Sequence, residues 1–127
     1  MAKIYKNGNN IRLSTPVPDY ASGTLLQNIT SVGTAAVTVN INNNGFLVFD
    51  FYKGSTWNTG VNFYINGVKV FAAYSSSSAY TAVSSFIPVV AGDVLTVSAT
   101  ATVTFSGSSE RGNVNFFPVR LKQMDIG

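Results

Sequence analysis

Two residue types central to enzyme chemistry are missing from this chain: cysteine and histidine. Without cysteine there is no disulfide framework, thiol nucleophile or thiolate metal site. Without histidine there is no imidazole base, no histidine-centred triad and no histidine metal ligand. Charge is scarce as well, with charged residues making up only 10% of the chain. The five carboxylates, Asp19, Asp50, Asp93, Glu110 and Asp125, stand on separate segments, so no facing pair of the kind a glycosidase needs is evident, and no cofactor is expected. The eight basic residues are scattered and leave a net charge of only +3. Lacking a basic cluster, the chain is not expected to bind nucleic acid. No apolar run approaches the length of a membrane span, and the start Met1-Ala2-Lys3-Ile4-Tyr5 lacks the continuous apolar core of a signal peptide. Gly8, Gly33 and Gly45 are isolated turn glycines rather than a phosphate loop.

What is present favours strands. At 127 residues and 46% hydrophobic, rich in Ser, Thr, Asn, Val and Phe, the chain is one all-β domain. Its organising stretch is Val61–Val97. Asn66-Gly67 between apolar-alternating runs predicts a hairpin with a type I′ turn, pairing Val61–Ile65 with Val68–Ala73. After Ala91-Gly92-Asp93 a further run alternates for twelve residues, with Leu95, Val97, Ala99, Ala101, Val103 and Phe105 on one face. Adding Thr24–Thr30, Thr34–Ile41, Gly45–Tyr52, the run ending at Pro88, and Asn113–Lys122 gives eight strands with polar turns, the pattern of a two-sheet antiparallel sandwich or jelly roll.

Residues 1–22 differ from the rest. Ile4-Tyr5-Lys6 and Ile11-Arg12-Leu13 flank Asn7-Gly8-Asn9-Asn10, suggesting a small hairpin, and Thr15-Pro16-Val17-Pro18 reads as a strand breaker. The division is therefore an N-terminal arm or attachment segment, or simply a ragged terminus, over 1–22, and a sandwich over 23–127. Two strands are apolar on both faces. Phe46–Tyr52 carries Leu47, Phe49 and Phe51 on one side and Phe46, Val48 and Tyr52, interrupted by Asp50, on the other; the last strand does the same with Val114/Phe116 and Phe117/Val119/Leu121. A sandwich strand needs one apolar face, so the second calls for a cover. An identical subunit in a closed oligomer supplies one, with Phe46, Val48, Asp50, Tyr52, Phe116 and Arg120 as interface candidates; the arm folded over these strands is the alternative. Asp50 is expected to pair with Arg120 of the adjacent last strand or to meet a partner chain, a structural pair being favoured over a role as catalytic acid.

The order Gly45-Phe46-Leu47-Val48-Phe49-Asp50-Phe51, Val61-Asn62-Phe63-Tyr64-Ile65-Asn66-Gly67, Ile87-Pro88-Val89-Val90-Ala91-Gly92-Asp93 and Asn115-Phe116-Phe117-Pro118-Val119 resembles the jelly roll of the complement-head and tumour-necrosis-factor superfamily. The likeness is greatest to the versions used as bacteriophage fibre, decoration and receptor-binding domains. That resemblance implies a homotrimer in which the third and eighth strands of the sandwich are neighbours about the threefold axis. It also sorts the loops: Lys53–Gly60, Tyr74–Ala79 and Ser106–Gly112 at one end, Asn42–Asn44, Asn66–Gly67 and Ala91–Asp93 at the other.

The first loop group carries the ligand candidates Trp57, Asn58, Tyr74, Tyr80, Glu110 and Arg111. An exposed Trp57 would stack on a sugar ring; a Trp57 tucked against the core would anchor its loop. Taken together, these readings predict a non-enzymatic virion protein, a head fibre, decoration protein or tail receptor-binding domain. It would trimerise, join other virion proteins through the arm and contact a host-surface glycan. A free-standing carbohydrate-binding module is the alternative.

Overall fold

The computed structural model describes residues 3–7, 10–57, 59–75 and 79–125, with side chains placed between 14 and 122. In chain order the strands are β1 (Lys3–Asn7), β2 (Asn10–Pro18), β3 (Thr24–Asn28), β4 (Ser31–Val32), β5 (Val37–Asn40), β6 (Gly45–Lys53), β7 (Val61–Ile65), β8 (Val68–Ala73), β9 (Tyr80–Val83), β10 (Ile87–Val89), β11 (Val94–Ala99), β12 (Val103–Thr104) and β13 (Arg111–Asp125). Among the described residues there is no α-helix, only one 3-10 turn at Tyr20–Ser22, opened by the Asp19 side chain accepting from Ala21 N.

Two sheets face each other. One runs β3–β13–β6, with β9 and β10 both on the far side of β6; the other runs β5–β11–β7–β8, and β4–β12 forms a small separate pair. The sheets meet over the inward positions of β6. Leu47, Phe49 and Phe51 are fully buried there, against Val61 and Phe63 of β7 and Leu95 and Val97 of β11. Phe49 stacks on Phe63 with centroids 4.4 Å apart, and Phe51 meets Phe63 and Phe105 edge-on at 5.2 and 5.1 Å. Each such side chain contributes roughly 1.5–3 kcal/mol by leaving water.

The Asn-Gly turn forms as its chemistry requires. Asn66 and Gly67 have φ of 51° and 81°, the left-handed pair of a type I′ turn. Its Asn66 side chain then stitches two loops together. Nδ2 donates to Asp93 Oδ1 at 2.9 Å, and Oδ1 accepts from Val94 N at 2.9 Å. Asp93 Oδ2 accepts from Val90 N, and Asn44 Oδ1 from Ala91 N, so the three turns of this end form one network.

Three expectations need correction. The twelve-residue alternating run is not one strand: it bends at 100–102 and continues as β12, so Ala101 is exposed. Likewise, the stretch Thr34–Ile41 is paired only over β5. And Thr15-Pro16-Val17-Pro18 does not break a strand. β1 pairs with β2 only as far as Ser14, so the prolines lie where β2 has a neighbour on one side alone. Proline is tolerated on such an edge because its missing N–H costs no ladder bond. β2 pairs there with Val119–Asp125 of β13, which extends past the end of β6 at Gly45. Thus β2 extends the sheet along the last part of β13.

Candidate functional site

On the outer face of the first sheet, opposite the core, alternate residues of adjacent strands line up in transverse rows. Register places Asn28, Asn113, Asp50 and Val83 side by side across β3, β13, β6 and β9. Arg111, one step along β13, is paired with Tyr52. Its Nε donates to Asp50 Oδ1 at 2.9 Å, and its guanidinium lies 5.6 Å from the Tyr52 ring centre. The two charged side chains remain 40% and 30% exposed, so this is an accessible pair with modest stabilising value.

What is left open on these groups matters more. Asp50 Oδ2 has no hydrogen-bond partner among the described residues. Asn28 Nδ2 donates to Asn113 Oδ1 at 3.0 Å, which fixes the Asn113 carboxamide by its oxygen and leaves its N–H groups as donors. Residues directly opposite in an antiparallel pair hold their Cβ atoms about 5 Å apart. An open carboxylate oxygen and an open amide donor therefore share one spot on the sheet, beside a guanidinium.

The second carboxylate of interest is differently held. Glu110 lines a shallow cleft of about 390 Å³ with Tyr52, Gly54, Ser55, Gly107, Ser108 and Ser109. Its Oε2 accepts from Gly54 N at 2.9 Å and its Oε1 from Gly107 N at 3.1 Å. These bonds, Gly54 first, hold its carboxyl below the ordinary value. Both oxygens are thus engaged in clasping two loops. Asp93 is held low in the same way by Val90 N and Asn66, inside the turn network at the opposite end. Asp19 caps the 3-10 turn, also accepting from Ser22 Oγ at 2.9 Å.

The loops at the Glu110 end meet one another: Trp57 N donates to Ser75 O, and Gly54 N to Glu110 Oε2. Trp57 itself is only 2% exposed, edge-on to Phe105 at 5.2 Å and to Tyr80 at 6.0 Å. It anchors its loop and offers no stacking surface. Asn58 lies outside the described residues. Tyr74 and Tyr80 are exposed, but Glu110 and Arg111 are engaged with Gly54/Gly107 and Asp50. Asp50 pairs with Arg111, not Arg120, because Arg120 sits on the part of β13 beyond β6, opposite Val17. Phe116 is opposite Leu47 and packs against the core, so it does not share a face with Phe46. Phe46, Val48, Asp50 and Tyr52 do share the outer face, each half-buried within the single chain. Asn113 was not singled out by sequence reasoning. The polar alternation Arg111, Asn113, Asn115 was visible, but not its register against Asp50.

Comparison with known proteins bears directly on what this face is for. The family model described as the Peptidase A4 family matches residues 9–115, most of the chain. A search of curated proteins finds no match. The match overturns the resemblance to phage fibre and tumour-necrosis-factor-like domains. With it go the expectation of a non-enzymatic virion protein and the alternative of a carbohydrate-binding module, since the matched family is one of peptidases. The likeness to jelly-roll fibres had rested on turn order and strand spacing, which unrelated sandwiches share. The chain belongs to the Peptidase A4 family.

Proposed function

We propose that this protein hydrolyses peptide bonds on the outer face of its first sheet, with Asp50 as the proton-transferring group. Supporting the reading is the Asp50 carboxylate, fixed through Oδ1 by Arg111 and directly opposite Asn113, with Oδ2 open. Since the chain has no histidine and no cysteine, a carboxylate is the natural base for activating water.

In this scheme Oδ2 takes a proton from a water molecule as its oxygen bonds to the scissile carbonyl carbon. The negative charge that develops on the carbonyl oxygen is met by the N–H groups of Asn113 and the terminal amino groups of Arg111, side chains already held by Asn28 and Asp50 before reaction. Asp50 then passes its proton to the leaving nitrogen, the C–N bond breaks, and a carboxylic acid and an amine depart. Glu110 is less suited, because both its oxygens already accept backbone hydrogen bonds. We also read the strand order, with β3–β13–β6–β9/β10 facing β5–β11–β7–β8, as jelly-roll wiring.

The test is proteolysis of an unfolded protein substrate by the wild type, Asp50→Asn and Glu110→Gln. Asp50→Asn should lower kcat by at least about a hundredfold, the low end of general-base contributions, while its melting temperature stays near that of the wild type. Full activity in Asp50→Asn, with loss in Glu110→Gln, would move the chemistry to the loop cleft.

A further inference from the structure

The row of polar groups at Asp50 lies in an otherwise apolar field. One row further along β6 stand Val48 and Asn115, with Leu25 of β3 beside them, and the next pairs Phe46 with Phe117. Over this last row the aromatic rings build outward. Phe117 meets Phe86 edge-on at 5.1 Å, and Phe86 meets Tyr20 edge-on at 5.2 Å. Tyr20 is 62% exposed and Phe86 37%, so the ladder is open to water along one side.

Two local features place it there. β9 pairs Val83 with Asp50 while β10 pairs Ile87 with Leu47, so one extra residue is inserted between them opposite β6. This bulge is pinned by Ser84, whose Oγ accepts from Phe49 N at 2.9 Å and donates to Ser85 O at 2.8 Å, and it turns Phe86 onto the outer face. Gly23, just after the 3-10 turn, leaves room for the Phe117 ring; a Cβ there would run into it.

We propose that Tyr20, Phe86 and Phe117, with Phe46 beside Phe117 in the same row, form a subsite that grips a large apolar or aromatic side chain of the substrate about four residues from the scissile bond. The inference rests on the Asp50 reading above. An extended peptide lying along the strands keeps step with them at roughly 3.3 Å per residue, so four positions from Asp50 to Phe46 span about 13 Å on both. Its side chains face the sheet at every second residue, which puts an apolar side chain on the rings when the scissile bond is at Asp50. The occupant is therefore an unfolded, apolar-rich polypeptide segment.

A library of synthetic peptides digested by the protein, with cleavage products read by mass spectrometry, tests this. For the wild type, Phe, Tyr, Leu and Met should be enriched four residues to one side of the cut. Phe86→Ala should lose roughly tenfold or more in kcat/KM on a peptide with Phe at that position, and nothing on the matching peptide with Gly there. Tyr20→Ala, at a more exposed residue, should shift the same preference in the same direction and guards against a folding defect in Phe86→Ala. Cleavage without an apolar preference at that distance, or equal losses on both peptides, would overturn the subsite while leaving the peptidase reading intact. Absence of cleavage of any library member by the wild type would overturn the peptidase reading, and the subsite with it.

Discussion

Asp50 and Glu110 are both carboxylates that accept a hydrogen bond at 2.9 Å, yet they are fitted for different work. Asp50 spends one oxygen on a side chain and keeps the other; Glu110 spends both on backbone N–H groups of separate loops. A carboxylate that accepts backbone bonds is stabilised in its charged form, and the consequence is a stability effect with a definite sign. In the folded chain Glu110 titrates below its ordinary value of 4.5. As the pH falls, the unfolded chain therefore takes up the proton first. The contribution of the clasp is complete above pH 4.5 and is lost as the pH drops through the lower folded value. Glu110→Gln, which cannot ionise, should accordingly melt below the wild type at neutral pH, and the gap should narrow as the pH falls under 4.5. Thermal melts across the acid range check this, and a gap that stays constant with pH would mean the charge of Glu110 is not what holds the loops.

At the scale of elements, the instructive case is the paired segment β9–β10. Neither β9 nor β10 is long enough to be stable alone; they act as one strand because Ser84 supplies, through its hydroxyl, the acceptor that a regular strand would offer Phe49 N. Ser84→Ala removes that acceptor at a buried site and should cost about 1–3 kcal/mol, the penalty of an unmet buried donor. Urea denaturation reads it as a lower midpoint with an unchanged slope; an unchanged midpoint would show that the bulge holds without Ser84. This is also where sequence reasoning reached its limit. The Asn66–Gly67 turn was legible because its chemistry is local: two residues able to adopt positive φ between alternating runs. The two faces of β6 were legible too, from its alternation; its pairing with β13 was not, since it had been expected only from a likeness that the family match overturned. The bulge at 84–86 was not, since it depends on the register of two short strands against a third. The same holds for the candidate site, where Asp50 stood out as a polar break in an apolar strand, but its partner Arg111 and its neighbour Asn113 are set by long-range register. Pro16 and Pro18 misled for a related reason, as a proline signals a break only if the strand needs both edges.

For the molecule as a whole, the outer face of β6 and β13 decides between a chain that works alone and one that closes on copies of itself. The reasoning for a closed oligomer was that a strand apolar on both faces must be covered by another subunit. Within the single chain, however, Phe46, Val48 and Tyr52 are already half-buried, and Phe86, Tyr20 and Leu25 from neighbouring segments lie across the same face. Between Asp50 and the aromatic ladder lies a strip made of the half-buried Val48 and Asn115 and the exposed Leu25. A substrate needs that strip uncovered, whereas a threefold assembly packed through Phe46, Val48, Asp50 and Tyr52 would bury it. If the face binds peptide, the active species should have a native mass near the 13.5 kDa of one chain. Light scattering on dilute protein, run beside the peptide-cleavage assay, settles the matter. Cleavage by a species of about 40 kDa, three chains, in which Asp50 and Tyr52 are shielded from solvent probes, would move the reacting groups off this face. Cleavage by the single chain, inhibited as association rises, would tie activity to the uncovered sheet.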